Sequence, residues 1–261
     1  MHRVQGVRNI NDIFMWGRNF GAVTNMVKAD VHKHWMIQLF VGNSKNMEIN
    51  VNDQKIHCRA IVVNMNTKHV FYSGNLIHFT MLINPTTQLG RTMRVHFLNE
   101  KPYYILCEDI AVELQKQLTS AISTGENTDY SDIIRNVVYC FKNDNLNEYD
   151  ERTKIILRRI DTCACEEEKH QVKQIAKEMA ISESRLSHLF KKETGIPLKS
   201  YIVLHKLLRA YEEMLDGESI TAAAIAAGFD SAAHLAFTNK KMTGMSARGI
   251  MKESRFLKVI L

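Results

Sequence analysis

Proline and glycine are scarce in this chain, three and twelve among 261 residues, so its turns must lean on Asn, Asp and Thr. Cysteine is sparse and odd in number. Cys58, Cys107, Cys140, Cys163 and Cys165 form no regular framework, which fits reduced thiols and not a disulfide scaffold. The Cys163–Cys165 pair lacks the second Cys or His pair that a four-ligand zinc site needs. No apolar stretch approaches the roughly 18 residues of a membrane helix. The basic N-terminus, Met1 to Arg8, has no apolar segment behind it, so no secretory signal is read there and the chain reads as cytoplasmic. Ser-His-Asp sets, Gly-rich phosphate loops and paired catalytic carboxylates are also missing, which argues against an enzyme.

What is present is ordinary for a folded chain: 45% apolar and 24% charged residues exclude intrinsic disorder, and the length suits two modest domains. The net charge of +6 favours polyanionic partners. Its distribution is more telling. Residues 1–110 hold 12 basic and 7 acidic side chains, residues 111–169 hold 8 and 12, and residues 170–261 hold 14 and 9. An acidic middle separates two basic ends.

From His34 to about Phe97 the chain reads as strands. His34 to Val41 is an apolar, aromatic run, Met47 to Val51 alternates with period two, and Ile56 to Val63, Lys68 to Tyr72 and Leu76 to Ile83 continue the pattern. Short strands with frequent turns predict an antiparallel sandwich or barrel. After Glu108 the period becomes helical, with strings at Ala111–Ile122, Tyr130–Phe141 and Glu151–Cys163. In the last of these, Ile156, Ile160 and Cys163 make a stripe that suits either an internal core or a dimer seam.

The final third contains one theme twice. Val172, Ile175, Ala176 and Met179 share a helical face; Ser182 is then an N-cap, with Glu183 at the positive end of the next helix. That helix is predicted to bury Leu186, Leu189 and Phe190, and to turn Ser184, Arg185, Ser187, His188 and Lys191 outward. Gly195 suits its stop, and Pro197 the start of a helix from Leu198 to Leu215. The pattern recurs as a small-residue helix at Ile220–Ala227, a turn at Gly228–Asp230 and a helix capped by Ser231 that runs to about Met242. These are two helix-turn-helix units joined by one long helix.

The motifs Ser182-x-x-x-Leu186-Ser-x-Leu189-Phe190-Lys191-Lys192-x-Thr194-Gly195 and Ala224-x-x-x-Gly228-Phe229-x-Ser231-x-x-His234-Leu235, closing on Lys240-Lys241-x-Thr243-Gly244, resemble the AraC/XylS-type transcription regulators over residues 170–250. The resemblance implies that each second helix enters a DNA major groove, one helical turn apart. It places Ser184, Arg185, Ser187 and His188 over the bases in the first unit, with Lys191 and Lys192 near phosphates. In the second unit it places Ala232, Ala233, Ala236 and Phe237 over the bases, with Lys240 and Lys241 near phosphates. Asn239, where the family usually has a buried Phe, is an alternative reader of adenine if it rotates outward, as is His234. Phe237 and Ala247 also depart from the usual pattern.

His32-x-His34-Trp35-x-x-Gln38, His69 and Asn84-Pro85-Thr86 are similar to the cupin-type sensor domains of one branch of these regulators. The likeness implies an α+β chain: a cupin-like antiparallel β-barrel sensor (1–110), a helical connector with possible dimerisation (111–165) and an all-α double helix-turn-helix domain (166–261). It implies an effector site at His32, His34, Trp35, Gln38 and His69. The expected partners are promoter or operator double-stranded DNA, an unidentified small molecule, a second copy in a homodimer and RNA polymerase, with no cofactor and no membrane. The alternative is a cupin metalloenzyme or metal sensor fused to a DNA-binding domain. Gln38 stands where such a site has Glu and is a poor ligand, so the histidines are read as effector contacts and not as metal ligands.

Overall fold

The strands in this protein are short and mostly without a polar side, because the main sheet is covered on both faces. In the computed structural model the described residues are 9–26, 29–43, 47–72, 76–125, 128–143, 145–162, 172–244 and 254–261. The strands are β1 (Asn11–Trp16), β2 (Asn19–Thr24), β3 (Ile37–Gly42), β4 (Met47–Val51), β5 (Gln54–Cys58), β6 (Ala60–Val63), β7 (His69–Tyr72), β8 (His78–Ile83), β9 (Tyr103–Ile105) and β10 (Arg255–Lys258). Seven of them form a sheet in the order β10-β1-β2-β8-β3-β6-β9, and three form a second sheet, β5-β4-β7.

Side-chain alternation sorts the packing. Leu39 and Val41 of β3, Ala60 and Val62 of β6, and Phe79, Met81 and Ile83 of β8 point to one side. There they pack on Ala111, Leu114 and Leu118 of α2 (Glu108–Ser123) and on Ile133, Ile134 and Val137 of α3 (Ser131–Cys140). Phe40, Ile61 and Val63 point to the other side and meet Met47, Ile49, Val51 and Ile56 of the small sheet. The strands therefore make two facing sheets, one of the two arrangements, sandwich or barrel, that the short strands predict.

Two expectations need correction. Residues 88–98 are not extended: Thr87 accepts from the Gly90 N–H and caps α1 (Gln88–Thr92), which runs on as a wide π-type turn from Met93 to Leu98. The last residues are not helical either. β10 pairs in parallel with β1, Asp12 opposite Arg255 and Met15 opposite Lys258, so the C-terminus returns to the N-terminal sheet. Arg255 grips Asp12 there through Nη2 at 2.6 Å and Nε at 3.0 Å.

The remaining helices follow their local signals closely. They are α4 (Glu151–Thr162), α5 (Val172–Glu178), α6 (Glu183–Thr194), α7 (Leu198–Leu215), α8 (Ile220–Ala226) and α9 (Ala232–Thr243). Ile156 and Ile160 of α4 are fully buried among Leu186, Phe190, Tyr201 and Leu208, so their stripe is internal core. Cys163 lies outside the described residues. The same core takes in Ile13, Met15, Phe20, Met36 and Leu82 of the sheet, so one apolar cluster spans sheet and helices. Among the described residues no helix is long and apolar enough to cross a membrane.

Candidate nucleic-acid interface and sensor site

The two helix-turn-helix units are built alike. Ser182 caps α6 by accepting from the Arg185 N–H, and Ser231 caps α9 by accepting from the His234 N–H. Each helix is 12 residues long and ends on a left-handed glycine, Gly195 at φ +77° and Gly244 at φ +71°. Each carries a lysine pair in its last turn, Lys191–Lys192 and Lys240–Lys241, all four exposed. α7 spans 18 residues, about 27 Å of rigid spacer at 1.5 Å per residue.

On α6, Ser184, Arg185 and His188 are exposed and Ser187 is half-buried. Leu186 and Phe190 are in the core, whereas Leu189 is only partly covered. On α9, Ala233 and Phe237 are exposed, Phe237 at 69%, while Ala232 and Ala236 are half-buried. Asn239 does not turn outward. It is buried and accepts from the Tyr211 hydroxyl at 2.5 Å, so it fills core space that an aromatic would take. His234 is exposed, with Nδ1 2.9 Å from an Asp230 carboxylate oxygen.

The sheet domain holds the C-terminal ends of both of these helices, which the sequence did not reveal. Arg94, from the π-type turn, donates to the carbonyls of Glu193 (3.1 Å) and Thr194 at the end of α6. A guanidinium at a helix C-terminus meets the negative end of the dipole. At the end of α9, the Asp30 N–H donates to the Gly244 carbonyl at 3.1 Å, and the Asp30 carboxylate lies 3.4 Å from Lys240 Nζ. A Cβ on Gly244 would fall 2.7 Å from the Asp30 carbonyl and from His32 Nδ1, so glycine is needed for space as well as for φ. A third contact joins the domains: Arg18 pairs with Asp161, which also accepts from the Tyr201 hydroxyl at 3.1 Å.

Behind Asp30 sits the histidine group. A backbone bridge between His32 and His69, 3.1 and 3.0 Å, brings the Ala29–Met36 loop onto β7. It gathers His32, His34 and His69, with ring centroids 4.5 to 5.4 Å apart, around Gln38 on β3. Gln38 Oε1 lies 3.0 Å from His34 Nε2 and 2.9 Å from His69 Nε2, and its amide N–H donates to Thr80 Oγ1 at 2.9 Å. Burial, reinforced by the neighbouring rings, pushes His34 down to about 4 and His69 to about 2, and burial also lowers His32. All three are neutral imidazoles near pH 7.

Beside this group, between the sheets and the helical domain, lies a narrow cavity of about 60 Å³. Ile13, Phe20, Phe40, Phe71 and Leu82 form apolar walls, with His32, Gln38, His78 and Thr80 as polar points; Tyr211 and Thr243 of the helical domain close it. None of its described lining residues is Lys or Arg. The structure thus brings together four of the five sequence-selected sensor residues. Trp35 is separate: it packs against the core shared with the helices and lines an open cleft facing Phe237.

Two matched capped helices on a rigid spacer, docked on a sheet-rich domain with an internal cavity, define a double helix-turn-helix protein with a second, cavity-bearing domain. Residues 175–253 match the helix-turn-helix domain family, and the C-terminal third of this chain is a helix-turn-helix domain of the AraC type. Among solved structures the chain resembles ToxT from Vibrio cholerae. An apo single-substitution variant of ToxT matches with TM-score 0.56 and 14% identity, over 92% of this chain and 97% of that one. ToxT with an unsaturated fatty acid bound matches with TM-score 0.52 and 15% identity, over 92% and 95%. A further ToxT structure gives 0.54 and 12%, over 90% and 99%. At such identities the likeness is one of fold. No curated protein matches the chain in sequence.

Proposed function

We propose that this protein is a cytoplasmic, sequence-specific DNA-binding transcription regulator of the AraC type, without enzymatic activity, that answers to a small molecule in its N-terminal cavity. The duplicated geometry of α6 and α9 supports it most: same cap, same length, same left-handed stop and the same exposed lysine pair. Its target is promoter or operator duplex, read as a homodimer formed through the connector helices and in contact with RNA polymerase.

The two units play unequal parts. α6 presents Arg185, which suits bidentate contact with guanine, together with Ser184, Ser187 and His188. α9 presents Ala232, Ala233, Ala236 and Phe237, capable of apolar contact only, and anchors through Lys240 and Lys241. Arg185→Ala is expected to lose about 1–3 kcal/mol of operator affinity and to relax specificity at one or two base pairs. Lys240→Ala is expected to weaken all duplexes about equally and to lower the salt slope by about one. Gel-shift titrations over a salt series with randomised half-sites measure both. Equal affinity for random and promoter fragments would defeat the proposal.

The cavity supports a compact, uncharged, largely apolar effector, because its described walls offer hydrogen-bonding groups but no cation for a carboxylate. ToxT has been crystallised with an unsaturated fatty acid; among the described residues of this chain an acid would lack a charged partner at the cavity. In thermal-shift assays a small alcohol such as isobutanol is expected to stabilise the protein more than isobutyrate, and Ala22→Leu, which fills the cavity, to abolish the shift. A carboxylate that binds better than its alcohol would refute this assignment.

A further inference from the structure

The Ala29–Met36 loop of the sheet domain faces the start of α7 and the last turns of α9 across an open cleft of about 790 Å³. The described lining of this cleft holds four lysines: Lys33 from the loop, Lys199 from the first turn of α7, and Lys240 and Lys241 from α9. All four are exposed. Asp30 is the acid among them, and its carboxylate lies 3.4 Å from Lys240 Nζ. Lys33, Lys199 and Lys241 make no ion pair among the described residues. Val31, Trp35, Val203 and Phe237 give the cleft apolar walls between these charges.

Three uncompensated cations in an open slot suit an extended polyanion better than a small acid. One carboxylate on an exposed lysine gains only about 0.2–1 kcal/mol in water, whereas a polyanion gains at every cation by releasing counterions. The cleft is also continuous with the face of α9 that carries Phe237. A major groove is about 12 Å wide, so a helix lying in it has a sugar–phosphate strand on either side. Lys240 and Lys241, placed to meet such a strand, are themselves walls of the cleft. The strand that passes them therefore runs between α9 and the sheet domain.

We propose that the sheet domain is part of the DNA interface: a duplex backbone enters this cleft, Lys33 holds one of its phosphates together with Lys199, and Asp30 keeps the phosphate's place at Lys240 while DNA is absent. This inference rests on the regulator reading above. Lys33 adds a contact that the helix-turn-helix units alone do not have, and the apolar walls suit the sugar edges of the strand. Sensing and binding then meet at one side chain. His32 lines both the inner cavity and the cleft, and its Nδ1–H donates to the Asp30 carbonyl at 2.8 Å. An effector in the cavity touches the residue that sets where Asp30 stands.

The test uses the full chain and a fluorescein-labelled random-sequence duplex of about 30 base pairs, roughly three helical turns, with anisotropy followed over a salt series. Lys33→Ala should weaken binding roughly 3- to 10-fold and lower the salt slope by about 0.9, the share of one phosphate contact. Lys33→Arg should restore both. Lys116→Ala, an exposed lysine on α2 across the main sheet, should change neither. Asp30→Asn keeps the N–H bond to the Gly244 carbonyl but drops the charge, and should tighten binding roughly 3-fold. These side chains are exposed, so the variants should keep the parent melting temperature. Unchanged affinity and slope in Lys33→Ala, with Lys241→Ala still weakening binding, would overturn the cleft assignment and leave the regulator reading standing. Weaker binding by Asp30→Asn would overturn the part given to Asp30. Parent protein that binds no duplex at any salt would overturn the regulator reading, and the cleft assignment with it.

Discussion

Phe190→Ala is expected to destabilise the protein by about 3–5 kcal/mol, the range for emptying a fully buried aromatic site. The ring is completely buried, 5.4 Å from Tyr201, in the cluster that also holds Leu186, Ile196, Ile156 and Ile160. Because that cluster continues into Ile13, Met15, Met36 and Leu82 of the sheet, the loss should be felt by both domains. Urea unfolding followed by far-ultraviolet dichroism and by fluorescence should move to a lower midpoint together. A drop confined to the helical signal, with the sheet midpoint unmoved, would show that the two domains unfold separately. Phe190→Leu, which keeps most of the apolar volume, should recover the larger part.

Asp12→Ala comes next, at about 3 kcal/mol, the low end for breaking a buried ion pair. The Asp12 side chain is 10% exposed and carries three bonds: from Arg255 Nη2 and Nε, and from the fully buried Tyr130 hydroxyl at 2.6 Å. Its removal takes the carboxylate from the Tyr130 hydroxyl and from a guanidinium that is one-third exposed, the exposure being the reason for the low figure. Asp12→Asn keeps an acceptor for Tyr130 and should lose roughly half as much. Chemical denaturation of the two variants decides; equal losses would place all of the effect in the charge.

Legibility followed locality. Capping serines, left-handed glycines and Pro197 are signals within one turn of chain, and α7 begins and ends where the periodicity placed it, at Leu198 and Leu215. The strands of the small sheet were likewise marked by alternation, as at Met47 to Val51, since one of their faces is less covered. β1 and β2 carried no such mark because five of the six residues in each are buried. Thr87 offered a helix cap before residues 88–98, but Met93 to Phe97 alternates apolar and polar side chains and reads as strand as readily as helix. β10 was unreadable: its partner lies 243 residues away. At the sensor site, His-x-His and His69 were visible as chemistry, whereas the route from His32 through Asp30 to Gly244 exists only as a tertiary contact.

The pairing of β10 with β1 also sets a timetable for synthesis. β1 is made 243 residues before its outer neighbour. At 5–20 residues per second the interval is on the order of 10–50 s. Throughout it, β1 is a sheet edge with open N–H and C=O groups beside Ile13, Phe14 and Met15, the kind of edge that recruits other chains. Nascent chains of this protein therefore pass through a long window in which a chaperone has a strand to guard, and the emergence of β10 is the event that ends it.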